Sequence, residues 1–339
     1  MLPDLSSHAP FAPRLLADIG GTNARFALEL APFQFTAISV VACNDYAELH
    51  LAIAAYLASD SVRGLGLAPL RHAAIAIANP VDGDLIRMTN HHWTFSIEQL
   101  RLSLQLDTLL LMNDFTALAM ALPFLQASER VQIGGGLEQA GKAIALLGPG
   151  TGLGVSGIIP YGKHWVPLAS EGGHVSFAPS NAEELALLRW IWRYHPHVSA
   201  ERLISGQGLP LLYQAVAALA GSPAPQALSA AAISSHALND SCLFSTQAVA
   251  HFCAMLGTVA GNLALTLGAK GGVYIGGGIV ARLGHLFVES AFRQRFEEKG
   301  RFASYLREIP TFLIMAEYPA FLGVSAVLAD KLGAAESAF

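Results

Sequence analysis

An apolar strand that ends abruptly in two polar residues is the feature that most constrains this sequence. Leu109 to Met112 form an apolar run that predicts a strand buried on both faces, and Phe115 to Leu122 predict a helix that Pro123 ends. Asn113 and Asp114 lie between them, where open α/β sheets bind their ligands. Both residue types are also common helix N-caps, so position alone leaves a purely structural role open.

A glycine-rich turn joins the first two predicted strands. The runs Arg14 to Ile19 and Phe26 to Leu30 flank the segment Gly20–Arg25, which begins Gly-Gly-Thr, and this order predicts a hairpin. Its bare backbone N–H groups and the threonine hydroxyl can hold phosphate oxygens. Asp18, at the head of the turn, can hold a magnesium ion through water. Glycine turns without a ligand are common, so the motif alone leaves both interpretations open.

The same arrangement returns about 130 residues later in the chain. Predicted strands at Ala143–Leu147 and Val155–Ile159 flank the segment Gly148–Gly154, whose spacing is G-x-G-x-G-x-G. The dinucleotide-binding fingerprint has a different spacing and is followed by a helix rather than a strand, so it is excluded. Superposing Gly21-Thr22 on Gly150-Thr151 suggests two phosphate-type hairpins that could grip one polyphosphate from two sides.

Three further segments carry candidate binding groups. Glu171 and His174 flank a Gly-Gly turn, and together they are plausible ligands for sugar hydroxyls, although each residue alone is more often solvated or structural. Glu201 lies in the first turn of a predicted helix, where the helix dipole is an adequate explanation for a carboxylate. Gly276–Gly278 separate a strand from a predicted helix at Ile279–Phe287, and can carry an adenine or a ribose against bare backbone.

Length and charge restrict the class of protein. The 339 residues are enough for two domains, and strands alternate with helices over the first 125 residues, which predicts a mainly parallel sheet covered by helices. The formal net charge of −5 argues against binding to a nucleic-acid backbone, which needs a basic surface. The three cysteines form no CxxC pair, which is typical of free thiols in a reducing compartment.

No targeting segment or membrane span is predicted. Met1–Pro13 lacks the basic start and apolar core of a signal peptide, and we expect it to be a disordered extension of a cytoplasmic protein. The longest apolar stretch, Gly257–Val280, is interrupted by Asn262, Lys270 and several glycines, so we predict no transmembrane helix.

Taken together, the motifs resemble those of one enzyme family. The set D-I-G-G-T-N-A-R, M-T-N-H-x-W, N-D-F-T-A-L, G-x-G-T-G-L-G-V, E-G-G-H-V-x-F-A-P, E-R-L-I-S-G-x-G-L and G-G-V-Y-I-G-G-G-I-V occurs in this order over roughly residues 15 to 325. It is similar to the ATP-dependent glucokinases of the proteobacterial type, within the actin-like hexokinase superfamily. Several co-linear motifs over nearly the whole chain are far more specific than one glycine loop.

The resemblance implies a role for each motif. Asp114 matches the general base that takes the proton from the C6 hydroxyl of the sugar as this hydroxyl attacks the γ-phosphate of ATP. The implied glucose-binding residues are Asn113, Asp114, Glu171, His174 and Glu201. The implied nucleotide-binding residues are Ala17, Asp18, Ile19, Gly20, Gly21, Thr22, Gly150 and Thr151 at the phosphates, and Gly276, Gly277 and Gly278 at the nucleoside. Asp18 is implied to order the Mg²⁺ of magnesium–ATP through water.

The resemblance also implies an architecture. It predicts an α/β, two-domain actin-like (ribonuclease H-like) sugar kinase fold with the active site in the interdomain cleft. The small domain is expected at residues 14–124 plus 320–339 and the large domain at 125–319, and a homodimer is common in the family. Position 17 is often glycine in the family and is alanine here. The cysteine-rich zinc motif of related sugar kinases and repressors is absent from this sequence, which favours the zinc-free branch.

Other functions of the same fold are kept as alternatives. A kinase of mannose, fructose or an N-acetyl amino sugar would use the same base and phosphate hairpins. A sugar-sensing regulator would bind a hexose without turnover, but it would need a DNA-binding segment that neither the acidic charge nor the short N-terminus offers. An actin-like ATPase or chaperone would have no need for Asp114 together with Glu171 and His174.

Overall fold

A computed structural model describes residues 11–222 and 227–336 of the chain, so residues 1–10 of the predicted extension lie outside it. The strands are β1 Arg14–Ile19, β2 Asn23–Ala31, β3 Gln34–Ala42, β4 His72–Ile77, β5 Leu85–Arg87, β6 Thr94–Ser96, β7 Thr108–Asn113, β8 Arg130–Ile133, β9 Ile144–Pro149, β10 Leu153–Tyr161, β11 His164–Leu168, β12 Val273–Ile275 and β13 Thr311–Ile314. The helices are α1 Leu49–Leu57, α2 Asp60–Arg63, α3 Ile97–Ser103, α4 Asp114–Ala121, α5 Ala182–Ile191, α6 Ala200–Leu203, α7 Gly208–Leu219, α8 Ala230–Leu238, α9 Leu243–Leu267, α10 Gly278–Leu283, α11 His285–Val288, α12 Phe292–Glu297, α13 Ala303–Arg307 and α14 Pro319–Glu336. Single turns of 3-10 helix lie at Cys43–Asp45, Leu122–Phe124, Ala127–Glu129, Gly172–His174 and Gly300–Phe302.

The chain divides into two compact units. The first, called unit 1, comprises the described residues up to Phe124 and those from Glu317 onward, and the second, called unit 2, is the segment Leu125–Ala316. Unit 1 is therefore assembled from two distant stretches of the sequence.

The main sheet of unit 1 has five strands in the order β3-β2-β1-β4-β7. Strands β1, β4 and β7 are parallel neighbours, whereas β2 pairs antiparallel with both β1 and β3. The mainly parallel sheet expected from the alternation of strands and helices is therefore only partly right. The glycine turn and the turn after Ala31 connect consecutive strands directly, and such short connections allow only antiparallel pairing.

Strand β7 lies at the edge of this sheet and has only β4 as a neighbour. Leu109 and Leu111 pack against the core on one face, and Leu110 and Met112 pack against the core on the other. Both faces are therefore covered as expected, but only Leu109 is buried and the other residues are half-buried. The apolar run reflects the packing of one partly covered edge strand. Its carboxyl end, with Asn113, nevertheless lies next to the carboxyl end of β4, because Asn113 pairs with Ile77.

Helices cover both faces of the unit 1 sheet. One face packs against α1 and α3 through a core that includes Phe26, Ile53 and Leu100. The other face is covered by α4 and the C-terminal α14, with Ala117 and Phe321 in the shared core. The Ser325 hydroxyl of α14 donates a 2.6 Å hydrogen bond to the buried carboxylate of Glu29 in β2, which ties the end of the chain to its beginning.

Unit 2 is built on a six-stranded sheet in the order β11-β10-β9-β12-β13-β8. Strands β9, β12 and β13 are parallel, and β10, β11 and β8 pair antiparallel at the two sides. Helix α9 packs against α7, α8 and α12 beside this sheet. Within the described part of the chain it is the one helix long and apolar enough to cross a membrane, but two-thirds of its most apolar stretch is buried. It is packed as a core helix, as expected for a residue pattern that is apolar nearly all round.

A buried ion pair joins distant helices of unit 2. The guanidinium of Arg295 in α12 donates to both carboxylate oxygens of Glu184 in α5, at 2.7 and 3.3 Å, and to the hydroxyl of Thr258 in α9 at 2.7 Å. A buried charge needs such partners, because an unpaired one is strongly destabilising.

Candidate functional site

The first predicted phosphate-binding hairpin is the turn between β1 and β2. Asp18 and Arg25 are cross-strand partners, and the turn between β1 and β2 is closed by the Gly20 N–H donating to the Asn23 carbonyl at 3.0 Å. The side chain of Thr22 is exposed at the tip, so its hydroxyl is accessible to a ligand. The side chains of Ala17 and Ile19 are fully buried in the core, so these two predicted residues could contact a nucleotide only through their backbone.

Asp18 forms an ion pair with Arg25 at this turn. Burial raises the pKa of Asp18, and the guanidinium of Arg25, 3.0 Å from its Oδ2, opposes that shift. Arg25 had no assigned role in the sequence analysis. The hairpin register would have revealed it, because the tight turn Gly20–Thr22 places residue 25 opposite residue 18.

Asp18 offers a single carboxylate to a magnesium ion, which would need its other ligands from water or a bound phosphate. Within residues 11–222 and 227–336, no group of three or more His, Cys, Asp or Glu side chains could hold a metal ion by itself. Mg²⁺ typically keeps several waters and binds to one or two carboxylates together with substrate phosphates. A single carboxylate at a phosphate-type turn matches that mode.

Asn113 and Asp114 form the junction between β7 and α4. Asn113 is the N-cap: its Oδ1 accepts hydrogen bonds from the backbone N–H groups of Phe115 and Thr116, at 2.9 and 3.2 Å. Its Nδ2 donates to the Oδ1 of Asp114 at 3.0 Å, and that oxygen also accepts from the Phe115 N–H at 2.9 Å. The structural alternative is thus correct for the side-chain oxygen of Asn113, while its amide group orients the Asp114 carboxylate.

The pKa of Asp114 is strongly perturbed. The pKa of Asp114 is raised to about 6: burial is the largest cause, the hydrogen bond from the Phe115 N–H opposes the rise, and the negative charge of Asp18 adds to it. Perturbation of this kind is concentrated at functional sites, because a general base works best with a pKa near the working pH.

Asn79 is a second residue that the sequence analysis missed. It follows β4 and is buried; its Oδ1 accepts from the Thr89 N–H at 3.0 Å, and its carbonyl accepts from Asn113 Nδ2 at 3.4 Å. It therefore connects the M-T-N-H-x-W loop to the β7–α4 junction. An Asn-Pro pair directly after a buried strand is the signal that could have identified it.

Unit 2 brings the three other predicted sugar ligands together. The imidazole of His174 lies between two carboxylates, with Nε2 3.8 Å from Glu171 Oε2 and Nδ1 3.7 Å from Glu201 Oε1. The side chains of Glu171, His174 and Glu201 are 76%, 61% and 31% exposed, so their polar atoms can reach a ligand. Glu201 is not merely a helix-dipole residue, because its Oε2 accepts a 2.8 Å hydrogen bond from the Leu153 N–H.

The second hairpin resembles the first but is one residue shorter. The pair Pro149–Leu153 closes a three-residue turn in which the Gly150 N–H donates to the Gly152 carbonyl at 2.8 Å. In the first hairpin, the pair Ile19–Ala24 encloses four residues. The two Gly-Thr pairs are therefore equivalent in sequence but not in strand register. Thr151, like Thr22, has an exposed side chain.

The three glycines at 276–278 lie beside this second hairpin. The Gly276 N–H donates to the carbonyl of Leu147 in β9 at 2.9 Å, two residues before the strand ends at Pro149. Helix α10 begins at Gly278, and the single helix predicted for Ile279–Phe287 is interrupted at Gly284, whose φ is 53°. The predicted site residues thus form one group in unit 1 and another in unit 2.

Comparisons with known proteins agree on one family. A family model described as Glucokinase matches residues 15–331. The chain is 55% identical over 327 residues to the bifunctional protein glk of Burkholderia pseudomallei (strain 1710b), covering 96% of this chain and 50% of that protein. It is 54% identical over 321 residues to the glucokinase of Aromatoleum aromaticum, covering 94% and 96% of the two chains. The chain thus spans about half the length of the bifunctional relatives and nearly the whole of the single-function one.

Solved structures give the same result for the fold. The crystal structure of a glucokinase from an Antarctic psychrotroph superposes with a TM-score of 0.87 at 36% identity, covering 94% of this chain and 99% of that one. A ROK family glucokinase from Streptomyces griseus, solved in complex with glucose and AMPPNP, has a TM-score of 0.62 at 17% identity, with coverage of 94% and 100%. The second likeness supports the fold alone.

Proposed function

The chain belongs to the glucokinase family, and from this premise we propose that it transfers the γ-phosphoryl group of ATP to the C6 hydroxyl of glucose. The products are glucose 6-phosphate and ADP. The observation that carries the proposal is the Asp114 carboxylate, which is oriented by Asn113 and has a pKa of about 6. Such a group is ionised at neutral pH and still basic enough to accept the hydroxyl proton.

The sugar hydroxyls are assigned to one amide, three carboxylates and one imidazole. Glu171 and Glu201 each have a carboxylate oxygen within 4 Å of the His174 imidazole, and such groups can share hydrogen bonds with neighbouring hydroxyls of a polyol. Asn113 uses its side-chain oxygen as a helix cap, so its Nδ2 is the part available to the sugar. Selectivity between hexoses would come from buried polar groups that the wrong epimer leaves unpaired.

The nucleotide is assigned to the two hairpins and the triple glycine. Residues 20–22 and Gly150-Thr151 offer turn backbone and two exposed threonine hydroxyls to the phosphates. Residues 17–19 lie in β1, whose backbone pairs with β2 and β4, so they support the turn from the strand before it. Gly276–Gly278 offer backbone to the nucleoside. Asp18 would hold Mg²⁺ through water, and the ion would neutralise charge on the phosphate oxygens.

The reaction needs little covalent chemistry from the protein. Asp114 accepts the proton of the C6 hydroxyl while the new O–P bond forms and the bond to the β-phosphate oxygen of ADP breaks. The remaining residues orient the hydroxyl and the phosphate and exclude water from the reaction. As in the family that the motifs resemble, the proposal includes a cytoplasmic location and a homodimer.

A sugar panel with the purified protein tests the proposal. ADP production with magnesium–ATP would be measured for glucose, mannose, fructose and N-acetylglucosamine. We expect kcat/KM for glucose to exceed that for each of the other sugars by at least about tenfold, because one mispaired buried hydroxyl has a cost of this order. If only another hexose is phosphorylated, the general-base role of Asp114 is retained and the assigned substrate changes. If glucose binds but no sugar is phosphorylated, the alternative of a sugar-sensing regulator is favoured.

The rate should depend on pH through Asp114. Only the carboxylate form accepts a proton, and burial raises its pKa to about 6, so kcat should fall about tenfold per pH unit below about pH 6. Initial rates between pH 5 and 8, with the melting temperature recorded at each pH, would separate this effect from unfolding. A rate that stays constant down to pH 5 in folded protein would contradict the assignment.

A further inference from the structure

The backbone of Leu153 in unit 2 contacts both Glu201 and the turn that carries His174. Leu153 is the first residue of β10 and follows directly on the hairpin turn Gly150–Gly152. Its N–H donates to Glu201 Oε2 at 2.8 Å. Its carbonyl lies so close to Gly173, in the turn that carries His174, that a Cβ built at residue 173 would be 2.1 Å from the oxygen.

The segment that carries Glu201 also contacts the other end of the hairpin. After α6 the chain reaches Gly206, whose N–H donates to the Gly150 carbonyl at 2.8 Å. The phosphate-type hairpin is therefore held on both sides by the segment 201–206, through one carboxylate and one backbone amide. A shift of either part must strain or break one of these hydrogen bonds.

Gly152 makes the carboxylate contact possible. A Cβ built at this residue would lie 2.3 Å from Glu201 Oε2 and 3.1 Å from its Cδ. The φ of Gly152 is outside the left-handed region, so its backbone accepts an L-residue without strain. Among the described residues, Glu201 is the one that an added Cβ would contact within 3.4 Å, so a side chain at this position would act on Glu201 first.

We infer that Gly152 is a positioning residue for Glu201 and that, through this contact, hexose binding and nucleotide binding strengthen each other. The inference rests on the proposed function, which assigns hydroxyls to Glu201 and phosphates to the hairpin. A hexose that orders Glu201 also orders the Leu153 N–H and the hairpin before it. A phosphate that orders the hairpin fixes the carboxylate in return, since coupling between two ligands is reciprocal.

Replacing Gly152 by alanine tests the contact. We expect the added methyl group to displace the flexible carboxylate while the fold stays intact, with the melting temperature within about 2 °C of wild type because surface-loop changes without strain have small effects. Glucose affinity would be measured by calorimetry with and without AMPPNP. In wild type the analogue should tighten glucose binding about tenfold, a typical coupling, and in Gly152→Ala this ratio should fall to within about twofold of one.

Steady-state kinetics provide the readout that a structural defect would not give. Gly152→Ala should raise KM for glucose about tenfold and lower kcat less than about threefold, since the contact orders the ground state and leaves Asp114 untouched. Gly135→Ala is the matched control, because Gly135 also has an ordinary φ and its added Cβ would meet open space. This control should retain both the affinity and the coupling of wild type.

A double variant tests whether Gly152→Ala acts through Glu201 or by disturbing the hairpin in general. In a Glu201→Ala background, Gly152→Ala should change glucose KM less than about twofold, because the group that it displaces is already gone. If Gly152→Ala fails to fold, Glu201→Gln and Glu201→Ala give the same test. Glutamine keeps an acceptor for the Leu153 N–H and should retain the coupling, whereas alanine should abolish it.

The possible outcomes distinguish this inference from the proposed function. Equal coupling in wild type and Gly152→Ala, or no coupling in a wild type that phosphorylates glucose, would overturn the inference and leave the kinase assignment intact. A wild type that neither binds nor phosphorylates glucose would overturn both.

Discussion

Replacing Asp114 by asparagine is expected to lower kcat for glucose phosphorylation by about 10³- to 10⁴-fold, within the range of general acid–base contributions. Asparagine has the same shape and can still accept the hydrogen bond from the Phe115 N–H. It cannot accept the proton of the sugar hydroxyl, so the chemical step should be lost. Because the shape and the hydrogen bonding are kept, glucose should still bind within about threefold of its wild-type affinity. The measurements are single-turnover phosphorylation with saturating magnesium–ATP and calorimetric titration with glucose.

The same substitution should make the protein more stable at pH 8. Because burial raises the pKa of Asp114 from 3.8 to about 6, its contribution to stability is fully present below about pH 4 and is lost as the pH rises through about 6. Asparagine stays neutral at every pH and avoids that loss, which amounts to at most about 3 kcal/mol for a shift from 3.8 to about 6. The melting temperature at pH 8 should therefore rise by a few degrees, and this gain should shrink below pH 5.

Asp107→Asn is the matched control for both measurements. Asp107 belongs to the same unit and its exposed carboxylate pairs with Arg71, so its replacement should alter kcat less than about twofold and stability by less than about 1 kcal/mol. A kcat for Asp114→Asn within tenfold of wild type would contradict the general-base role. A lower melting temperature with lost glucose binding would indicate a structural role instead.

Gly323→Ala is expected to destabilise unit 1 more than other single-methyl changes. Gly323 lies in α14 against α4, and a Cβ there would be 1.7 Å from the carbonyl oxygen of Ala117 and 2.6 Å from its carbonyl carbon. Because both contacts are with backbone, the two helices must separate. We expect a loss of at least about 3 kcal/mol and a transition that starts roughly 6–12 °C lower in calorimetry. Activity should fall as well, since α4 begins at Asp114.

Gly333→Ala in the same helix should have the opposite effect. The added methyl group at position 333 meets open space, and alanine favours the helix by about 0.5–1 kcal/mol over glycine. Comparing the two variants removes the contribution of helix propensity and leaves the cost of the α4 contact. Equal melting temperatures for the two variants would show that α14 does not pack on α4 in solution.

Local patterns in the sequence predicted the elements that carry the site. Strand β1 has the predicted bounds, both glycine turns are hairpins, and a polar pair does follow β7. The α/β sugar kinase fold and the glucokinase family, both predicted from the motifs, are confirmed by the structural likeness and by the family match. These features are local or repeated, so the residues that specify them are close together in the chain.

The remaining features depend on contacts between distant residues. The hydrogen bond between Glu201 and Leu153 joins residues 48 apart, and the ion pair between Arg295 and Glu184 joins residues 111 apart. Hydrophobic periodicity contains no information about such pairs. The edge position of β7 was missed for the same reason, because strand order is a property of the whole sheet. The roles assigned to the individual site residues remain predictions.

The return of α14 to unit 1 sets an order for folding during synthesis. The sheet face formed by Leu16, Ala27, Ala74 and Ala76 is covered by residues such as Phe321, Val324 and Leu328, which the ribosome makes only after all of unit 2. Unit 2 is one continuous segment and has all of its residues once Ala316 has been made. The unit that begins first is therefore completed second, and a nascent chain must keep an apolar sheet face from aggregating until α14 has been translated.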